Sequence, residues 1–326
     1  MERDVMAKVT LKEIADATGF SVAKVSRAVN ETGAIKKVDK EKILKVAEEL
    51  GYNCKSKQAK NEPCENSDIA VLIPRFDSYQ TSDFIQNLNS ILLQKQYKID
   101  YYTVEGTPLE ESKLLRSIIN KNYSAIVYKP LRVHEEVQAV INESMVPIFS
   151  YGQVYGNCIN INYNNFSLMY DLTKIAIENR SRKILYIGTF KTDIEVGFKR
   201  FEGFLQAVTE SEVSYQYMEC RCDIEESYKL SKTTDFSLYD AVICATDNLA
   251  LGIHRGLLEK NIWPGKNILL SGVGNNKITR VVTPSLTTVD LDKNSVVEFI
   301  LERLVKEQFT SVNYIVPYEI IRRESM

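Results

Sequence analysis

Between Gly19 and Asn30 the chain reads GFSVAKVSRAVN, and its polar side chains are of types that hydrogen-bond nucleic acid. The guanidinium of an arginine such as Arg27 matches the paired O6 and N7 acceptors of guanine in a major groove. Ser21, Ser26 and Asn30 carry short polar groups suited to phosphate oxygens, contacts that set register without reading sequence. Val22, Ala23 and Lys24 fall in the first turn of the same segment, where small residues let a helix end approach base edges. Taken singly, each of these residues reads equally well as a cap or an exposed helix position; the constellation points to DNA.

Local signals specify the elements that would hold this segment. Thr10 and Glu13 stand at capping-box spacing, and Val9 and Ile14 at hydrophobic-staple spacing. They predict a helix from Leu11 to about Thr18, buried along Leu11, Ile14 and Ala15. Gly19 would end it in a left-handed turn, and Phe20 would plug the core. Ser21 is a suitable N-cap for a second helix with Val25 and Val29 inward. A third helix is expected from near Asp39, with Ile43, Val46, Ala47 and Leu50 at helical spacing and Gly51 after them. Two helices joined by a short glycine-containing turn make a helix-turn-helix. Residues 1–60 hold 13 Lys and Arg against 9 Asp and Glu, and the remainder 28 against 34. A mildly basic head on an acidic body suits contact with a polyanion.

The stretches VTLKEIADATGFSVAKVSRAVNETG and KEKILKVAEELGY resemble the DNA-binding head of the lactose-repressor (LacI/GalR) family of bacterial transcription regulators. The resemblance implies base-reading roles for Val22, Ala23 and Arg27. It implies phosphate contacts for Thr10, Ser21, Lys24, Ser26, Asn30 and Tyr52.

Residues 53–68, NCKSKQAKNEPCENSD, are polar and rich in Lys and Asn, and read as a linker. The family has a hinge helix here whose leucine wedges into the minor groove and kinks the DNA. In this chain the wedge position is Asn61 and the helix-start proline is replaced by Cys54, so a weak hinge helix or an absent kink is expected. Lys55, Lys57 and Lys60 would then follow phosphates as a basic tether.

From Ile69 onward the pattern alternates. Continuous apolar runs (IAVLIP, AIVY, KILYIG, AVICA) read as strands buried on both faces. Helical stretches separate them, expected near 84–96, 109–122, 133–144, 165–179, 197–211, 225–232 and 248–260. Such alternation builds parallel, doubly wound sheets, with ligand expected at the strand C-termini. Two runs of it imply two Rossmann-like lobes. The body resembles the periplasmic-binding-protein type I fold carried by the same family. The fold class is therefore α/β: a three-helix helix-turn-helix head of residues 1–60, the linker 53–68, and an effector-binding and dimerisation body of residues 69–326. Lobe one is expected at about 69–161 and 291–309, lobe two at about 162–290 and 310–326.

KRFEGF matches the family's R-x-x-G-[FW], which makes Arg200 the residue that grips effector hydroxyls. ATDNLALG places Thr246 in a ligand-contacting position, with Asp247 read as a helix N-cap. Two aspartates of the family fall on Gly152 and Gly274, so the neighbouring Gln153 and Asn275 become the substitutes. Phe76 and Tyr79, behind the first body strand, complete the effector-binding candidates. The YGQ and GVGNN variants look more like the sucrose- and trehalose-responsive branch than the lactose or purine ones.

Several function classes find no support in the sequence. No apolar run is long enough to span a membrane, and MERDVMAKVT has no signal-peptide core, so a cytoplasmic protein is expected. The six cysteines contain no Cys-x-x-Cys and read as free thiols, with CRC at 220–222 a weak metal motif. There is no P-loop, G-x-G-x-x-G or G-x-S-x-G, and His134 and His254 have no evident nucleophile partner. No catalytic residue, metal or cofactor is expected. The chain stops at IVPYEIIRRESM without the leucine-heptad tail by which the lactose repressor itself forms tetramers, so a homodimer is expected. The favoured reading is a repressor of carbohydrate genes that binds a double-stranded operator under control of a small effector, a saccharide. A solute-binding protein without DNA function and an activator or corepressor-dependent regulator are the alternatives; an enzyme on the same fold is a further one, disfavoured by the missing motifs.

Overall fold

A computed structural model describes residues 11–29, 35–50, 68–74, 79–104 and 106–326; within the helices, the side chains of Ala23, Arg27, Val29, Lys37 and Glu48 are not described. Thr10, Asn30, Tyr52, Cys54, Lys57, Asn61 and Phe76 lie outside the described residues. The chain divides into two compact units, Met1–Glu65 and Asn66–Met326.

The first unit contains three helices, α1 (Leu11–Thr18), α2 (Val22–Val29) and α3 (Lys37–Glu49). Gly19 at φ 75° turns the chain out of α1, and its N–H donates back to the Ala15 carbonyl at 2.9 Å. A left-handed residue at this point needs glycine, because a Cβ would crowd the following carbonyl. Ile14, Ala15, Val25, Ala28, Ile43 and Ala47 form the core, with Leu11, Phe20 and Ile35 packed at its edge. Two expectations need correction. The third helix begins at Lys37 rather than near Asp39, and Leu50 is exposed, since it lies past the last helical turn.

In the second unit one sheet contains β1 (Asp68–Ile73), β2 (Lys98–Thr103), β3 (Ala125–Tyr128), β4 (Ile148–Tyr151), β5 (Ile159–Tyr163) and β11 (Val312–Val316), in the order β11-β5-β4-β3-β1-β2. The other contains β6 (Lys183–Gly188), β7 (Ser214–Glu219), β8 (Ala241–Cys244) and β9 (Leu269–Ser271), in the order β7-β6-β8-β9. All pairings within both sheets are parallel. A short antiparallel ribbon joins β10 (Thr288–Asp290) and β12 (Glu319–Ile321). The crossovers are α4 (Tyr79–Leu92), α5 (Pro108–Ile119), α6 (Glu135–Asn142), α7 (Asn165–Glu178), α8 (Arg200–Glu210), α9 (Ile224–Thr233), α10 (Asp247–Glu259) and α11 (Lys293–Val305).

The apolar runs behave as buried strands. Val71 of β1 lies beside Tyr101 on one side and Val127 on the other, and β1 is buried from Ile69 to Ile73. Edge strand β2 instead alternates polar and apolar residues. Two boundaries differ from the sequence reading. Helix α4 starts at Tyr79, five residues before the expected start, because Thr81, Phe84, Leu88 and Leu92 form one buried stripe. The expected second-lobe segment 310–326 is split. Its strand β11 pairs with β5 of the first sheet, Val312 beside Ile159, satisfying an otherwise open edge of a buried strand. Only the terminal residues return to the second sheet, where the Leu270 N–H donates to the Ser325 carbonyl at 2.9 Å.

Candidate functional site

The helix-turn-helix presents the DNA-facing candidates. The Ser21 hydroxyl accepts the N–H of Lys24 at 3.3 Å and so caps α2, while the Ser21 carbonyl accepts the first helical N–H groups. Ser21 and Val22 are exposed, Val22 to 46%. An exposed valine in the first turn, against a buried Val25 and Ala28, separates an outer face of α2 from its core face. Lys24 behaves differently from a free phosphate ligand. Its Nζ lies 2.9 Å from the Asp39 carboxylate and 4.2 Å from the centre of the Phe20 ring, which pins α2 to α3. A phosphate contact by Lys24 would have to share this ammonium.

A second candidate site lies where the strands of the two parallel sheets end. A cavity of about 330 Å³ is lined at the C-terminal ends of β1, β3, β4 and β5 by Pro74, Lys129, Gln153 and Tyr163, and beyond β6 and β8 by Thr189 and Thr246. Arg200, the first residue of α8, reaches it from the second lobe and is buried to 3% exposure. Its Nε donates to Asn165 Oδ1 at 2.8 Å and its Nη1 to the Ala245 carbonyl at 2.5 Å. Burial holds the guanidinium below its ordinary pKa. The spacing Arg200-x-x-Gly203 has a packing cause. A Cβ at Gly203 would stand 2.1 Å from the Phe166 carbonyl oxygen, so glycine lets α8 lie on α7, which brings Arg200 to Asn165 at the start of α7.

Gln153 bridges the lobes. Its Nε2 donates to the Leu131 carbonyl at 3.1 Å and to Asp193 Oδ1 at 2.9 Å. Asp193 in turn accepts the N–H groups of Glu195 and Val196, capping a π-helical turn that leads into α8. Thr246 lines the cavity, caps α10 by accepting the Leu249 N–H at 3.4 Å, and lies 3.2 Å from Cys222 Sγ. Asp247 is therefore the first residue of α10 rather than its cap. Its carboxylate accepts Thr288 Oγ1 at 2.6 Å and the Asn276 N–H at 2.8 Å, and burial raises its pKa to about 6.

Arg200, Gln153 and Thr246 thus converge, but two other effector candidates do not reach the cavity. Asn275, in a left-handed conformation after Gly274, accepts Arg323 Nη2 on its Oδ1 at 2.7 Å; Asn276 lines the cavity in its place. The same guanidinium donates through Nη1 to Thr279 Oγ1 and the Leu286 carbonyl, which holds the Asn275 amide away from the cavity. Tyr79 opens α4 but does not line the cavity, whereas Gln80 and Thr81, rotated about 100° per residue, do. The sequence reading passed over Lys129, Asn165, Asp193 and Asn276. Lys129 had a usable signal: a lysine directly after the apolar strand AIVY, at a C-terminal strand end.

A family model described as bacterial regulatory proteins, lacI family, matches residues 10–54, and one described as a periplasmic binding protein-like domain matches residues 174–326. The HTH-type transcriptional regulator RegA of Clostridium saccharobutylicum is 23% identical over 97% of this chain and 98% of its own length. The sucrose operon repressor of Staphylococcus xylosus is 23% identical over 95% of this chain and 98% of its own. Among solved structures, the lac repressor bound to ONPG superposes with a TM-score of 0.73 at 18% identity, covering 98% of this chain and 100% of that one.

Proposed function

We propose that this chain, which belongs to the lacI family of bacterial regulatory proteins and is a DNA-binding transcription regulator rather than an enzyme, represses carbohydrate-utilisation genes in the cytoplasm as a homodimer whose operator affinity is set by a saccharide in the cleft. The observation that carries the reading is the convergence of Gln153, Arg200 and Thr246, from both lobes, on one cavity. Asn276, whose enclosed Oδ1 has no hydrogen-bond partner among the described residues, lines the same cavity. The likeness to a sucrose operon repressor supports the saccharide class.

In this reading the two heads of the dimer occupy two half-sites of a near-palindromic operator, one α2 helix in each major groove. The effector acts through its different affinities for open and closed clefts; equal affinity would leave operator binding unchanged. Nuclease protection of the DNA upstream of its own gene, with and without a panel of mono- and disaccharides, tests this. The expected result is a two-fold-symmetric protected site whose occupancy one saccharide alters. Protection without sequence preference, or a site indifferent to every saccharide, overturns it.

A further inference from the structure

The charge inventory of the cleft narrows the effector. Among the described residues, four cations line the cavity, Lys129, Arg132, Arg200 and Arg221, against two carboxylates, Asp193 and Asp247. Both carboxylates accept hydrogen bonds from the protein itself. Asp193 Oδ1 receives three N–H donors, and each oxygen of Asp247 receives one donor. None of the four cations makes a salt bridge among the described residues, although Lys24, Lys199, Lys277 and Lys293 elsewhere do. Arg132 and Arg221 are exposed at the rim, and Arg200 is buried inside.

The half-buried Lys129 ammonium makes no hydrogen bond or ion pair among the described residues. The residue follows β3 into the cleft, and its Nζ lies 4.6 Å from the centre of the Tyr151 ring. A Cβ on Gly152 would stand 3.7 Å from that Nζ, so a carboxylate side chain there could pair with the ammonium, and glycine leaves the space open. Gly274, the other position where the resemblance placed an aspartate, is filled over by Gln80, whose Nε2 lies 2.1 Å from where a Cβ would sit. The cleft therefore carries two more cations than carboxylates.

We propose that the effector is an anionic saccharide, a sugar phosphate monoester, whose phosphate is received by Lys129 in the field of Arg200 with Arg132 and Arg221 at the entrance. The excess of two positive charges matches a phosphate monoester, which carries about −1.5 to −2 near neutral pH. Burial lowers the Lys129 pKa to about 8, with Lys293 and Arg200 pushing the same way and Asp193 opposing. An incoming anion reverses that imbalance. A ligand ammonium would meet repulsion, and a neutral sugar would leave the cations uncompensated in a partly desolvated site.

The inference rests on the effector-controlled reading of the cleft, and its test separates the two. Calorimetry on the full chain compares a series of hexose 6-phosphates with their parent hexoses, with hexuronates, and with inorganic phosphate. At least one 6-phosphate should bind about tenfold or more tightly than its parent, in line with a charge-assisted contact, and better than the uronate or phosphate alone. Lys129→Met should collapse the difference between ester and parent by about tenfold to a hundredfold, and Lys129→Arg should restore most of it. Melting curves of both variants report that the cleft is folded. A neutral saccharide that binds tighter than any ester and alters operator binding overturns the charge assignment while leaving the regulator reading in place. Equal ester affinity in wild type and Lys129→Met overturns it as well. If no saccharide of either kind binds, the effector reading falls and takes this inference with it.

Discussion

Single residues carry the recognition chemistry, and two of them can be tested in isolation. Arg27 lies in α2, one turn beyond the residues that open it. If it reads a guanine, Arg27→Ala costs about 1–3 kcal/mol of operator affinity and relaxes preference at one base pair per half-site. Quantitative binding to a set of operator variants measures this; an equal loss on every sequence would make Arg27 a phosphate contact. Asp247 bears on stability rather than recognition. Burial lifts its pKa to about 6 against the opposing effects of Thr288, the Asn276 N–H, Lys293 and Arg323. The unfolded carboxyl releases its proton in the ordinary range near 4. Between those values the folded chain binds more protons than the unfolded one, so this group favours the fold at low pH. Its contribution is lost as pH rises through about 6. The full penalty is about 3 kcal/mol. Asp247→Asn should flatten that part of the stability profile, read as melting temperature against pH; an unchanged slope between pH 4 and 6 would assign the dependence to other groups.

At the scale of elements, the decisive contact is the crossing of α7 and α8. The glycine in Arg200-x-x-Gly203 exists for backbone approach, since a methyl group there meets the Phe166 carbonyl at 2.1 Å. Gly203→Ala should therefore push the helices apart, destabilise the body by about 1–3 kcal/mol, and weaken the effector by displacing Arg200 from Asn165. Denaturant unfolding and effector titration check both halves. A stable variant with normal effector binding would show that α8 can shift without moving the guanidinium. The resemblance could carry this motif because arginine, spacing and glycine lie within one helical turn. The cap of α2 was readable for the same reason, because Ser21 and the Lys24 N–H it accepts are three residues apart.

At the scale of the whole molecule, effector control requires the two lobes to communicate, and the Gln153–Asp193 hydrogen bond joins them across the cleft. Gln153→Leu removes a bond to a charged acceptor, worth about 1.5–3 kcal/mol. It should shift the body toward an open cleft and lower effector affinity about tenfold to a hundredfold. Small-angle scattering and effector titration report the two effects, and an unaltered open–closed balance would remove Gln153 from the closure mechanism. What the sequence by itself determined was local: the helices of the head and the alternation of buried strands with helices. These depend on periodicity, capping and turn chemistry within a few residues. Tertiary structure alone decided that β11 completes the first sheet and that Asn276 and not Asn275 faces the cavity. Each of these is set by a partner distant in the chain, such as Ile159 for Val312 or Arg323 for Asn275. Local patterning cannot specify such a partner, because pairing energy between remote segments exists only once the sheets have brought them together.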